Sequence, residues 1–345
     1  MRFLLDDEQR EFARSLDAML TAADTPAAAR AWAAADHTPG QALWRRLAEA
    51  GVFALAVPEE HEGVGPLPVE VAVVFIELGR HAVPGPLVET VAAAALLSRL
   101  ADLGEQEPAK RLLPALASGA ATATLALPGT NGPYENDSYP HVPHVPHVPY
   151  ALDADAATHL LVAADGALRL APGPESLHHS LDPARRLAVP LPGGELLATG
   201  PAVTEAADRA ADWAALATAA QALGVGRALL DRTVAYVKQR TQFGTAIGTF
   251  QAVKHRLADV LVRLEFARPL LFGAALSMEG ADIAAAKVAA GEAAYAAARA
   301  GLQLHGAIGY TSEYDLSLWL TKARALRTAW GDPQACRARV LAGRE

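Results

Sequence analysis

Apolar positions in the first third of the chain recur at helical spacing. In DDEQREFARSLDAML, Phe12, Leu16 and Leu20 stand four residues apart, and Asp6 and Asp7 precede them as candidate caps. QALWRRLAEAG carries a second helix that stops at Gly51. VPEEHEGVGP is expected to be a loop, VEVAVVFIELG a helix, and PGPLVETVAAAALLSRL a further helix with Pro86 in its first turn. From about Ala121 the period shortens. ATATLALP, THLLVAA, ALRLAP and RLAVPLP are brief apolar runs separated by Pro, Gly and Asp, which predicts strands of a small barrel or sandwich. From Ala206 the helical period returns and predicts four long helices. The first runs to about Gln239, the second from an N-cap at Thr249 to Gly280, and the third, Ala-rich, begins after Asp282. The fourth follows GAIGYTSEYD and stops before Gly331. Short connections between them predict an antiparallel bundle.

The expected architecture is therefore mainly α with a β insertion. A helical domain spans 1–119, a small β domain 120–203 and a four-helix bundle 204–345. The third bundle helix is apolar nearly all round, which predicts burial among other helices and assembly into a dimer or tetramer through the bundle.

The chain of 345 residues carries a formal net charge of −8 with 52% hydrophobic residues, which argues against a nucleic-acid surface. One cysteine, Cys336, precludes an internal disulfide and fits a reducing compartment. MRFLLDDEQREF turns acidic too early for a secretory signal. No apolar run reaches about 20 residues without a charge or breaker, so no membrane span is expected and a cytoplasmic location is. PHVPHVPHVP, residues 140–149, invites a metal reading. On a polyproline helix its histidines would stand about 9 Å apart, too far for neighbours to share an ion bound at about 2 Å. An extended surface loop is expected there, with no metal site.

The segment RTQFGTAIGTFQAVKH, residues 240–255, spends an Arg, a Phe-Gly, a Gln and a His between two helices. Alone, Arg240 reads as a helix-end cation, His255 as a surface histidine, His305 as a cap on helix-end carbonyls, and Trp44 and Trp213 as packing residues. Together with QLHGAIGYTSEYDL, LWRRLAEAGVFALAVPEEHEGVGP, ELGRHAVPGPLVET and SLDPARRLA, the segment resembles the acyl-CoA dehydrogenase family over nearly the whole chain. That resemblance implies FAD held between two subunits and an acyl-CoA thioester as substrate. It places Arg240 on the FAD pyrophosphate, where a guanidinium fork suits adjacent phosphate oxygens. It places Phe243 against the flavin portion, Gly244 in a tight turn and Gln251 as a nearby hydrogen-bonding group. Gln303, Gly306 and Gly309 fall at the adenine end.

The pattern departs from the family at the general base. Abstraction of the α proton needs a positioned carboxylate. By count along the family pattern, the usual Glu falls on Trp330, and the following Thr on Asp332. The alternative base position, on the first bundle helix, falls on Ala214. Asp212 lies two residues away, about 200° round the helix. The family's Thr-containing strand and Gly-Ser-Asp loop for the flavin ring are not recognisable between 125 and 150. The resemblance therefore extends to the base-lacking subunits of actinobacterial heterotetrameric acyl-CoA dehydrogenases, with a second, Glu-bearing subunit as partner. Two readings stand beside it. One is a homo-oligomeric FAD enzyme using Glu313, Asp315 or Asp332 as an unusual base; the other is a non-catalytic scaffold or binding protein.

Overall fold

The computed structural model describes residues 5–128 and 150–343. The His-Val-Pro repeat at 140–149 lies outside the described residues.

The first domain contains helices α1 (Asp7–Thr21), α2 (Thr25–Ala33), α3 (Thr38–Glu49), α4 (Pro68–Arg80), α5 (Leu87–Asp102) and α6 (Gln106–Ala117). Asp6 closes a reciprocal capping box on α1: its carboxylate accepts from Gln9 N at 2.8 Å, and the Gln9 side chain accepts from Asp6 N at 3.1 Å. Gly51 follows α3 at φ +74°, a conformation that favours glycine. VPEEHEGVGP is a loop containing one 3-10 turn, Glu59–His61. Trp44 stacks on Phe53 with ring centroids 4.0 Å apart and donates to Gly119 O at 3.0 Å.

The β region holds β1 (Ala123–Ala126), β2 (Ala151–Leu152), β3 (His159–Ala164), β4 (Ala167–Leu170), β5 (Pro174–His179), β6 (Arg186–Pro190) and β7 (Glu195–Thr199). One sheet has the order β1-β3-β4-β7, with β1 and β3 parallel and the remaining pairs antiparallel. The other is antiparallel in the order β2-β6-β5. Ala126 and Leu160 from the first sheet meet Ala151 and Ala188 from the second in a small shared core. The arrangement is a sandwich.

The bundle consists of α7 (Pro201–Gln239), α8 (Gln251–Ser277), α9 (Gly280–His305) and α10 (Leu316–Leu326), followed by α11 (Pro333–Ala342). A two-residue hairpin pair, β8 (Thr241–Gln242) and β9 (Thr245–Ala246), joins α7 to α8. Three sequence expectations need correction. Phe250, not Thr249, precedes α8, because the Thr249 hydroxyl turns back to Ala246 O at 2.7 Å. That helix ends at Ser277 rather than Gly280, where Met278 enters the left-handed region at φ +51°. The last helical turns beyond Gly331 form α11, which Asp332 caps by accepting from Gln334 N and Ala335 N at 2.7 and 3.1 Å.

Helix α7 is also the one helix among the described residues long and apolar enough to cross a membrane, and 94% of that window is buried inside the fold. It packs against α4 and α5 of the first domain and against α8, α9 and α10 of the bundle. Two glycines set its approach to α4. A Cβ on Gly224 would stand 1.9 Å from Ile76 O, and one on Gly79 would stand 2.0 Å from Gln221 O. Backbone meets backbone at this crossing, so neither neighbour can step aside. Gly224→Ala should destabilise the fold by about 1–3 kcal/mol or more. Gly291→Ala in α9, whose added Cβ would sit 3.6 Å from Arg327 Cα, should be neutral or stabilising by up to ~1 kcal/mol. Urea midpoints of the two variants check this, and equal midpoints would contradict the close crossing.

Candidate functional site

The residues that resemble cofactor contacts gather at one end of the bundle. Tyr236, in the last turn of α7, stacks on His305 at the end of α9 with centroids 4.0 Å apart and 22° between planes. The His305 ring is fixed further by its Nδ1 against Gly301 O at 2.8 Å, and burial lowers its pKa. One turn beyond Tyr236 comes Arg240; around His305 lie Gln303, Gly306 and Gly309. A single stacked pair thus brings the two sequence segments together.

This end of the bundle faces outward. Phe243 is 93% exposed and sits at φ +55°, a left-handed conformation uncommon for a bulky residue, with Gly244 next to it at φ +79°. Phe250 approaches its edge at 6.3 Å. Arg240, Gln251 and Gln303 are exposed, and their side chains have no hydrogen bond or ion pair among the described residues. Gly306 is at φ +64°, and Gly309 is buried against His305 and Leu302. A guanidinium fork, two amides and an aromatic ring held out from the surface fit an anionic, aromatic cofactor such as FAD.

Trp330 belongs to a different place. It is 3% exposed, at φ +54°, between α10 and α11. Its indole N–H donates to Glu89 Oε1 at 2.9 Å, and Glu89, from α5, is fully buried. Burial pushes the Glu89 carboxyl up, while the Arg185 guanidinium and the indole bond pull it back. Beside it Lys322 pairs with Asp182 at 3.0 Å, both buried. Asp153 is fully buried and holds Arg186 N at 3.0 Å; burial raises its pKa to about 7, and that bond opposes the rise. Lys287 grips the turn from below, donating to Leu326 O, Arg327 O and Gly331 O at 3.1, 3.2 and 3.0 Å. A bulky residue in the left-handed region costs about 1–3 kcal/mol, and such a state persists only where surroundings over-determine it. Here the Lys287 grip and the Glu89 bond do so.

This cluster draws one carboxylate from the helical domain, two from the β domain, and a lysine and an indole from the bundle. Glu89 was missed by sequence reasoning. The available signal was an acidic residue inside the apolar run LVETVAAAALL, where a charge has no solvent to face. The remaining candidates are spread out. Ala214 is fully buried in α7. Asp212 accepts from Arg339 at 2.6 Å, Asp315 pairs with Arg30 at 2.7 Å, Glu313 is exposed, and Asp332 caps α11. Asp17, Glu77 and His81 converge closely enough for a cation, but the Arg80 guanidinium already lies 2.7 Å from Glu77 and 3.3 Å from Asp17.

The model of the acyl-CoA dehydrogenase N-terminal domain matches residues 6–120, and that of the C-terminal domain matches residues 204–343. The chain belongs to the acyl-CoA dehydrogenase family. Members are FAD-dependent oxidoreductases acting on acyl-CoA. The chain is 36% identical over 323 residues to acyl-CoA dehydrogenase IpdE2 of Mycobacterium tuberculosis, covering 92% of this chain and 91% of that one. Among solved structures it is similar to a variant of the Tcur3481-Tcur3483 steroid ACAD, with a TM-score of 0.81 and 28% identity over 97% of each chain. It also shares the fold of a chain in the ChsE4-ChsE5 complex of Mycobacterium tuberculosis, with a TM-score of 0.76 and 23% identity over 100% of this chain and 98% of that one.

The buried carboxyl groups set a pH dependence. A carboxyl whose pKa is raised on folding binds more protons in the native state, so stability falls as pH rises through the interval. For Asp153 that interval runs from the ordinary carboxylate range to about pH 7. Asp153→Asn retains an acceptor for Arg186 N and removes the titration. Urea midpoints of this variant should lose part of the wild-type decline between about pH 4 and pH 7. An unchanged slope would mean that Asp153 titrates as it does in the unfolded chain.

Proposed function

We propose that the chain is a subunit of a heteromeric acyl-CoA dehydrogenase that lacks the catalytic carboxylate and completes the FAD site of a second, Glu-bearing subunit. The observation that carries this reading is the state of Trp330. At the place where the family resemblance puts the general base stands a buried indole, which cannot accept the α proton. It is packed against and bonded to Glu89. Glu89 is no substitute as it stands, because it is fully buried and its near oxygen is bonded to that indole.

Distance supports the same division of labour. Lys287 touches the Trp330 turn, and His305 anchors the outward segment; 18 residues of α9 separate them, roughly 27 Å along the axis. Arg240 and Gln303 therefore lie far from Trp330 of their own chain. FAD, when bound, accepts the β hydrogen as hydride. The part this chain would play is to clamp the pyrophosphate with Arg240, cover an edge of the flavin with Phe243, and supply amides from Gln251 and Gln303. Assembly as a complex of unlike chains is what the names of the Tcur3481-Tcur3483 and ChsE4-ChsE5 neighbours describe for those proteins.

The homo-oligomeric alternative needs another carboxylate at the α carbon. Asp315 and Asp332 are committed to an ion pair and a helix cap, and Glu313 is exposed, its backbone carbonyl accepting from Arg30 at 3.2 Å.

The test is purification alone and with a co-expressed Glu-bearing homologue. Alone, even with excess FAD, the chain should neither exchange the α protons of an acyl-CoA nor bleach flavin, the loss being the general-base factor of about 10²–10⁴ or more. Robust turnover by the single chain would overturn the proposal. In the complex, Arg240→Ala should weaken FAD binding by about 1.5–3 kcal/mol, the range for a hydrogen bond to a charged group. Unchanged flavin affinity would remove Arg240 from the site.

A further inference from the structure

Beyond the cofactor-facing end, α8 carries a surface that the fold leaves without a partner. Val262, Phe266 and Leu270 are exposed, Phe266 at 72%. Beside them a groove of about 380 Å3 runs between α8 and α9 and is closed by the end of α10. Arg256, Arg263, Arg299 and Arg327 line it, opposed by Asp259 and Glu292. Four arginines against two carboxylates leave a local charge of +2 on a chain whose net charge is −8. Tyr295 forms part of the wall, with the guanidinium groups of Arg324 and Arg327 at 5.3 and 5.2 Å from its ring centroid. Arg327 is already answered, bonding Glu292 at 2.7 and 3.1 Å. Among the described residues the side chains of Arg256, Arg263 and Arg299 make no hydrogen bond or ion pair, and all three are exposed.

Groove and ridge are one surface. Phe266 follows Asp259 by seven residues, and Leu270 follows Arg263 by seven, so each pair shares a stripe of the helix. An exposed aromatic anchor flanked by arginines, without lysine, has the composition of an interface centre rather than of a solvated face.

We propose that this groove receives an acidic segment of the partner subunit, and that it selects an unlike chain over a second copy of this one. This rests on the heteromeric reading above. A two-fold contact with its axis at this groove would bring the same patch of both copies together, setting unpaired Arg263 and Arg299 against their own copies. The nearest outward carboxylate on α8, Glu265, is already paired with Arg227 at 2.9 Å, and Asp259 and Glu292 lie inside the groove itself. A chain with Asp or Glu at the facing positions gains those contacts and escapes that repulsion.

The test combines Arg263→Gln with Arg299→Gln, both on exposed positions. The double variant is compared with wild type for assembly with the co-expressed Glu-bearing homologue. Its affinity should fall by about fivefold or more at low ionic strength, and the difference should shrink as salt rises. A complex that forms equally well from both, with the same salt dependence, overturns the groove proposal and leaves the heteromeric reading standing. If wild type recruits no homologue, the heteromeric reading fails, and a titration of the isolated chain decides the groove. A short Phe-containing Asp/Glu peptide should bind at low salt, be lost in the double variant and outcompete inorganic phosphate. No peptide binding, binding indifferent to the substitutions, or phosphate binding equally well overturns the proposal.

Discussion

The crossing of α4 and α7 at Gly79 and Gly224 is the contact on which the arrangement of domains depends. Helix α4 belongs to the first domain and α7 to the bundle, and at this point their backbones touch with no side chain between them. A crossing this close leaves the α7 face free of bulk just where the chain needs a long spine. Further along, Gly226 lets α9 approach, since a Cβ there would stand 3.1 Å from Ala294 Cα. Ala-rich α9 can then lie buried inside its own chain. The expectation that this apolar helix is buried among other helices is met within the fold itself, and α8 presents the exposed apolar ridge.

With the spine fixed, three domains close on a small polar junction. Glu89 arrives on α5, Asp153, Asp182 and Arg185 on β-domain turns, and Lys322 and Trp330 from the bundle. Groups this deeply buried cost free energy unless paired. The indole of Trp330 answers Glu89, and Lys322 answers Asp182. The junction is coherent as structure, and it fills the crevice in which the family resemblance puts proton abstraction. The exposed Arg240, Phe243 and Gln303 lie at the opposite end of α9.

Much was legible in the sequence because it depends on local rules. Period 3.6, then short apolar runs, then period 3.6 again separated the helical, β and bundle regions, and Asp6 and Asp7 marked the first cap. Arg240, Phe243, Gln251 and Gln303 stood out as polar or aromatic residues between helices that otherwise prefer Ala and Leu, and exposure there needs no long-range information. Tertiary structure alone decided which of these residues meet. His305 joins Tyr236 only when α7 and α9 lie parallel, end beside end, and Glu89 meets Trp330 across 241 residues of chain. Likewise, arginines scattered from 256 to 327 become one groove only after three helices pack. Spacing along a chain records a helix face, but the pairing of faces is set by which small residues allow close approach and by where a buried charge can find its counterpart.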